Sequence, residues 1–259
     1  LRILFIGDIV GKGGRRAVTD LLPQLMNEKV DFVIANGENS SGGIGISPQN
    51  ARMLLEGGVD VLTSGNHIWR KKEIIPFLEQ EPRLLRPANY PPGAPGRGSG
   101  IYTTSTAEKV GILNLEGRIF MRSIESPFKT AEEHLSVLRR ETKVIIVDFH
   151  AEATSEKYAL GWFLDGEVSA VLGTHTHVQT ADERVLPGGT AYITDAGMTG
   201  PIDSVIGIKK EIALERFLTM LPNKFEPATG NIELQGVIVD VNEATGLSHG
   251  IRRVKMGLD

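Results

Sequence analysis

Short apolar runs alternate with helix-like stretches through the first seventy residues, and that alternation restricts the fold more than any other feature of the chain. Residues 2–7 read as a buried strand. Ala17, Val18, Leu21, Leu22, Leu25 and Met26 fall at helical spacing within a predicted helix over 15–28. Phe32–Ala35 reads as a second strand. Ser47-Pro48 supplies a capping hydroxyl and a proline at the first helical position, and the helix it opens ends at Gly57-Gly58. Val59–Leu62 is a third strand. A βαβαβ order of this kind predicts a parallel sheet covered by helices.

Beyond residue 84 the pattern loosens. Residues 84–100 are rich in Pro and Gly and read as an irregular loop, a lid or an interface. Ile101–Thr104 and Val110–Leu115 then form a predicted hairpin around Ala107-Glu108. A helix near 129–141 leads to strands at 144–149 and 168–172, and 232–241 and 246–254 alternate like an antiparallel pair. Parallel strands are therefore expected first and antiparallel strands later. With no linker, repeat or low-complexity stretch, one domain over 1–259 is expected.

The carboxyl ends of the predicted strands carry the chemistry. Strand one runs into Gly7-Asp8, strand two into Asn36-Gly37-Glu38-Asn39, strand three into Ser64-Gly65-Asn66-His67, the strand at 144–149 into His150, and that at 168–172 into Gly173-Thr174-His175-Thr176-His177. In open α/β sheets ligands bind beyond the carboxyl ends of the strands, so these groups converge although they are distant in sequence. Each element alone has a plain structural reading, as a turn, a helix cap or a hydrogen-bonded core histidine. Five such coincidences at equivalent places favour a site. His134 and His249 lie outside this set and read as surface residues. Gly11-Lys12-Gly13-Gly14 and Gly42-Gly43-Ile44-Gly45 lack phosphate-loop and dinucleotide spacing and read as turns.

Composition narrows the ligand chemistry. The chain of 259 residues has no cysteine, which excludes disulfides, thiolate metal sites and a thiol nucleophile, so any metal is held by nitrogen and oxygen. Net charge is −4, which offers no global attraction to polymeric nucleic acid. No stretch reaches the roughly 18 to 20 apolar residues of a membrane helix, and the expected location is cytoplasmic. Neither a Gly-x-Ser-x-Gly elbow nor a zincin helix is present. Asp8, Glu38, Asn39, Asn66, His150, His175 and His177 are too many ligands for one tetrahedral ion but suit two sharing the Glu38 carboxylate. Such a pair can generate a bridging hydroxide that attacks phosphorus. His67, beside a ligand, is placed to protonate the leaving oxygen.

These residues resemble the calcineurin-like metallophosphoesterases, which carry Asp-x-His after the first strand, Gly-Asp-x-x-Asp after the second, Gly-Asn-His-(Glu/Asp) after the third, then a single His and Gly-His-x-His. Asp8, Gly65-Asn66-His67, His150 and His175-Thr176-His177 match. Val10 stands in place of the first motif's histidine, and Glu38-Asn39 in place of the bridging aspartate. Both departures resemble the YmdB-type branch, as do Phe5–Gly11, Ala35–Asn39, Thr174–Thr180 and Thr194–Gly200. The resemblance implies a four-layer αββα sandwich of two mixed sheets flanked by helices, a binuclear centre and phosphodiesterase activity on small cyclic nucleotides, 2′,3′-cyclic nucleotides foremost. It assigns Asp8, Glu38, Asn39 and His177 to one metal, and Glu38, Asn66, His150 and His175 to the other. Asn39 then compensates for the histidine missing at Val10, and His67 is the general acid. Iron or manganese is implied, and zinc or magnesium also suits this donor set. Two alternatives stay open: a phosphomonoesterase or phosphoprotein phosphatase on the same centre, and a metal-binding regulatory protein with little turnover. Neither the oligomeric state, a homo-oligomer included, nor the physiological nucleotide follows from the sequence.

Overall fold

The computed structural model describes residues 1–258. In chain order its elements are β1 (Arg2–Ile6), β2 (Asp8–Ile9), α1 (Gly11–Met26), β3 (Phe32–Asn36), α2 (Pro48–Glu56), β4 (Val61–Thr63), a 3-10 turn at Ile68–Arg70, α3 (Ile74–Gln80), β5 (Ser99–Thr103), β6 (Lys109–Glu116), α4 (Pro127–Leu138), β7 (Val144–His150), α5 (Thr154–Phe163), β8 (Ala170–Thr174), β9 (Arg184–Val185), β10 (Ala191–Ile193), β11 (Met198–Pro201), α6 (Lys210–Thr219), β12 (Ile232–Val241) and β13 (Ser248–Leu258).

Two mixed sheets result. The first runs β2-β11-β12-β1-β3-β4, with β13 paired to β12, and the second runs β5-β6-β7-β8-β10-β9. β1, β3 and β4 are parallel, as the opening alternation predicts. The hairpin of β5 and β6 and the antiparallel pair β12 and β13 are also present. The expectation of parallel strands only at the start needs correction: β6, β7, β8 and β10 form a second parallel set, because α4 and α5 provide crossovers there too.

Alternation along the strands builds three apolar layers. Leu4, Ile6, Val33 and Ala35 face α1, α2 and α3. Ile3, Phe5, Phe32 and Ile34 point the other way, onto Val144, Ile146, Ala170 and Leu172 of the second sheet. Ile145, Val147, Phe149 and Val171 face α4 and α5. This is the four-layer αββα sandwich. Each buried aliphatic side chain contributes about 1.5–3 kcal/mol, so these layers dominate the stability.

Four local expectations shift. α1 starts at Gly11 rather than residue 15, so Gly11–Gly14 form its first turn instead of a loop. A Cβ on Gly14 would lie 2.2 Å from the Thr199 carbonyl oxygen, so the glycine lets α1 sit directly on β11. The helix near 129–141 runs instead from Pro127 to Leu138, opened by proline in its first turn. β8 begins two residues later than expected, at Ala170. His134 is half-buried, with Nδ1 2.8 Å from Ser99 Oγ, and is not a surface residue. Residues 84–100 form a wall more than a lid. Leu84 and Leu85 are buried, the Arg86 guanidinium donates to the carbonyls of Pro87, Ala94 and Pro95, and Tyr90 Oη donates to Glu116 Oε2 at 2.6 Å.

Candidate metal centre

The inner faces of both sheets are apolar until their carboxyl ends, where they turn polar. On β3 the inward series Phe32, Ile34 ends in Asn36; on β7 the series Val144, Ile146 ends in Asp148 and His150; on β8 Ala170 and Leu172 end in Thr174. Asn36 Nδ2 donates across the sandwich to Asp148 Oδ2 at 3.0 Å. The two sheets are thus joined by hydrogen bonds at the edge where the candidate ligands emerge.

Sheet one supplies Asp8 from β2, Glu38 and Asn39 from the turn after β3, and Asn66 and His67 from the turn after β4. Sheet two supplies His150 from the end of β7 and His175 and His177 from the turn after β8. Asp8, Glu38 and His150 have no exposed surface. Glu38, His150 and His175 offer ligand atoms that all lie within 4.8 Å of one another. His150 Nε2 is 3.2 Å from Glu38 Oε1 and 3.0 Å from Asn66 Oδ1 and from His175 Nδ1. His177 Nε2 is 3.7 Å from Asp8 Oδ1, and that carboxylate oxygen is buried without a hydrogen-bond partner.

Side chains behind the cluster set its tautomers. Thr174 Oγ1 donates to Asp148 Oδ1 at 2.7 Å and therefore accepts from His150 Nδ1 at 2.9 Å, which aims Nε2 into the centre. His177 Nδ1 donates to the Ile206 carbonyl at 2.9 Å, again leaving Nε2 inward. His175 Nε2 meets Glu152 Oε2 at 3.1 Å and presents Nδ1. Both candidate ligand histidines of the last turn, His175 and His177, have positive φ, 103° and 65°, an uncommon conformation for residues with a Cβ. Asp8 Oδ2 accepts from the His175 amide at 3.0 Å, and Asp195 Oδ2 accepts from the Thr176 amide at 3.0 Å. Asp195 is itself paired with buried Lys157 at 2.8 Å. Gly65 completes the packing: a Cβ there would lie 2.1 Å from His150 Cδ2.

Electrostatics follow from this burial. Burial disfavours a charged His150, but the carboxylates of Glu38, Asp8 and Asp148 outweigh it and raise its pKa to about 10. Glu38 is held well below its usual range, since His150 and His67 outweigh its burial. Burial pushes His175 down to about 3, with the charge of His150 adding to the effect. Burial raises Asp8 and lifts Asp148 to about 6.

The donor set fits metal. It offers only imidazole, carboxylate and amide groups, several ligand atoms converge on one point, and Asp8 Oδ1 has no other partner. Asn39 is the exception in orientation. Its nitrogen lies 3.1 Å from Glu38 Oε1 and 3.3 Å from His177 Nε2, while its oxygen meets His67 Nδ1 at 2.8 Å. An amide nitrogen does not ligate a cation, so ligation by Asn39 requires rotation of the amide, which exchanges two nearly isosteric ends.

A family model described as YmdB-like protein matches residues 4–254. The chain belongs to the YmdB-like family. It is 47% identical over 260 residues, all of this chain and 98% of the relative, to the 2′,3′-cyclic-nucleotide 2′-phosphodiesterase of Bacillus subtilis. Among solved structures, a hypothetical protein from Thermus thermophilus superposes with TM-score 0.93 and 42% identity, covering 99% of each chain. A crystal structure described as that of a novel phosphatase of Mycoplasma pneumoniae gives TM-score 0.93 and 36% identity over 99% of this chain and 93% of that one. The likeness to YmdB-like proteins thus spans both sheets and every strand end that bears a candidate ligand.

Reasoning from sequence assigned no supporting role to the residues behind the candidate ligands, Asn36, Asp148, Thr174, Glu152, Lys157 and Asp195, although Asn36 and Thr174 stood within the strand-end motifs. Two others left a signal. Asp148 is a carboxylate inside an apolar strand, two residues before His150 and so on its face. Asp195 follows β10 just as the ligands follow their strands.

Proposed function

We propose that the protein is a metal-dependent phosphodiesterase that opens the cyclic phosphate of small nucleotides, 2′,3′-cyclic nucleotides foremost. The observation that carries this reading is the buried convergence of carboxylate, imidazole and amide donors from both sheets, with Asp8 Oδ1 left unpartnered. The named activity of the B. subtilis relative supplies the substrate class. The catalytic unit is one domain over 1–259, and a cytoplasmic location accords with the lack, among the described residues, of any helix long and apolar enough to cross a membrane.

Asp8, Glu38, Asn39 and His177 would hold one ion, and Glu38, Asn66, His150 and His175 the other, with iron or manganese implied by the family resemblance and compatible with these donors. When bound, a metal pair lowers the pKa of water and offsets negative charge on a phosphoryl group. The chain's own residues do the rest. Asp148 and Thr174 hold the Nδ1 proton of His150, so Nε2 is the atom that would ligate once its own proton leaves, and Glu152 beside His175 Nε2 leaves Nδ1 as the ligating atom of that ring. His67 Nδ1 lies 3.3 Å from Glu38 Oε1, a contact that stays in place when the Asn39 amide rotates to present its oxygen to the ion. Its Nε2 is then the atom that carries a proton to the departing ribose oxygen.

Hydrolysis of a 2′,3′-cyclic nucleotide by metal-loaded protein tests the reading. Chelation is expected to abolish turnover, and His67→Ala to lower kcat by roughly 10² to 10⁴. Turnover that survives both would refute it. The likeness to the M. pneumoniae phosphatase favours a second reading, a phosphomonoesterase on the same centre. Faster turnover of p-nitrophenyl phosphate than of bis-p-nitrophenyl phosphate would select it.

A further inference from the structure

Beside the metal centre lies a cavity of about 300 Å³. Asn39, His67 and His177 border the centre, and Arg70 joins Ile44, Ile206, Phe225 and Pro227 in the remaining lining. Apart from Arg70, that remaining lining is apolar or glycine. The wall is tied to the centre, since the carbonyl that fixes His177 Nδ1 belongs to Ile206. Phe225 is 44% exposed, and the Arg216 guanidinium carbon lies 4.6 Å from its ring centroid. A half-exposed aromatic ring lining a largely apolar cavity that also borders His67 and the candidate metal centre suits a flat heteroaromatic group attached to a phosphoester.

We propose that this cavity is a nucleobase subsite and that Phe225 is its stacking platform. The inference rests on the phosphodiesterase reading for its substrate class. His67 borders both the centre and the cavity, so the ribose that receives its proton projects its base toward Phe225. A neighbouring cavity of about 370 Å³ meets the centre only through His177 and is walled by Gln179, Gln235, Arg253 and Lys255 among others. It lacks His67 and any aromatic ring, so it suits a base less well. Because every base has a π-face, a stacking platform tolerates all four bases. The subsite therefore selects nucleotides over smaller cyclic phosphates without selecting strongly among nucleotides.

The test compares a 2′,3′-cyclic nucleotide with glycerol 1,2-cyclic phosphate, which has the same reacting ring and no base. Metal-loaded wild type is expected to prefer the nucleotide in kcat/KM. Phe225→Ala is expected to reduce that preference roughly tenfold or more, Phe225→Trp to restore it, and Lys255→Ala, in the neighbouring cavity, to leave it in place. A preference unchanged in Phe225→Ala, or lost in Lys255→Ala instead, overturns the subsite. Calorimetric binding of a nucleoside 3′-monophosphate against inorganic phosphate gives a second readout. If wild type hydrolyses neither substrate, the phosphodiesterase reading fails, and binding decides the subsite alone: tighter nucleotide binding that Phe225→Ala removes supports it, and equal binding of the two ligands refutes it.

Discussion

At the scale of single residues, His150 and Gly65 bear most directly on the centre. As a metal ligand His150 would be a neutral imidazole, yet in metal-free protein the surrounding carboxylates raise its pKa to about 10. Metal uptake at pH 7 is therefore expected to release roughly one proton from this site. Titration calorimetry in buffers of different ionisation enthalpy reads that release, and a buffer-independent heat would contradict it. The pairing of His150 with Glu38 makes chelated protein sensitive to pH. Protonated His150 contributes stability fully below its ordinary value of 6.5 and loses it as pH rises toward about 10. Glu38, held low, contributes above its ordinary value of 4.5 and loses that contribution in acid. The melting temperature of chelated protein is thus expected to fall from pH 6.5 to 10, and a flat profile would count against the pairing. Gly65→Ala places a methyl group against the His150 ring and is expected to cost about 1–3 kcal/mol, or to displace the ligand, as read by denaturant unfolding with metal and without it.

At the scale of elements, strand existence and direction were legible because the apolar runs are short and bounded by glycine, proline or asparagine. Boundaries were less so. α1 begins four residues earlier than helical periodicity suggests, since Gly14 is small so that the helix can pack closely on β11, while Gly11, at φ 62°, turns the chain into the helix. Candidate ligands were visible because each stands at or just beyond the end of a predicted strand, whereas their supports are distributed over β3, β7, β8, α5 and the segments after β7 and β10, and depend on which elements become neighbours. Lys157 on α5 illustrates this: nothing in its helix indicates that it is 1% exposed and paired with Asp195. Asp195→Asn leaves that ammonium buried without a counter-charge and releases Thr176 between the two strained histidines. A loss of about 3–5 kcal/mol is expected in chemical denaturation, with partial recovery of stability in the double variant Lys157→Met, Asp195→Asn. No loss in the single variant would mean that the pair supports neither the turn nor the helix.

At the scale of the whole molecule, the centre joins two sheets that also meet through apolar side chains and through hydrogen bonds such as Asn36–Asp148, Ser64–Asn114 and Ser248–Ser169. Its ligands come together only in the folded state, so metal stabilises the fold by mass action. At a free concentration one hundred times Kd the gain is about 2.7 kcal/mol per site. For a chain of this size that corresponds to a rise of roughly 5–10 °C in Tm, and calorimetric scans with and without manganese should record it. Net charge gave little warning of this site. A value of −4 argues against polymeric nucleic acid, while two cations at one sandwich edge would create a local attraction for phosphate. The central claim is that strand ends from both sheets build one binuclear centre around Glu38. An anomalous difference map from a crystal loaded with manganese tests it most directly. Two adjacent peaks are expected, one beside Asp8 and His177 and one beside Asn66, His150 and His175, with Glu38 between them. A single peak, or peaks away from Glu38, would contradict it.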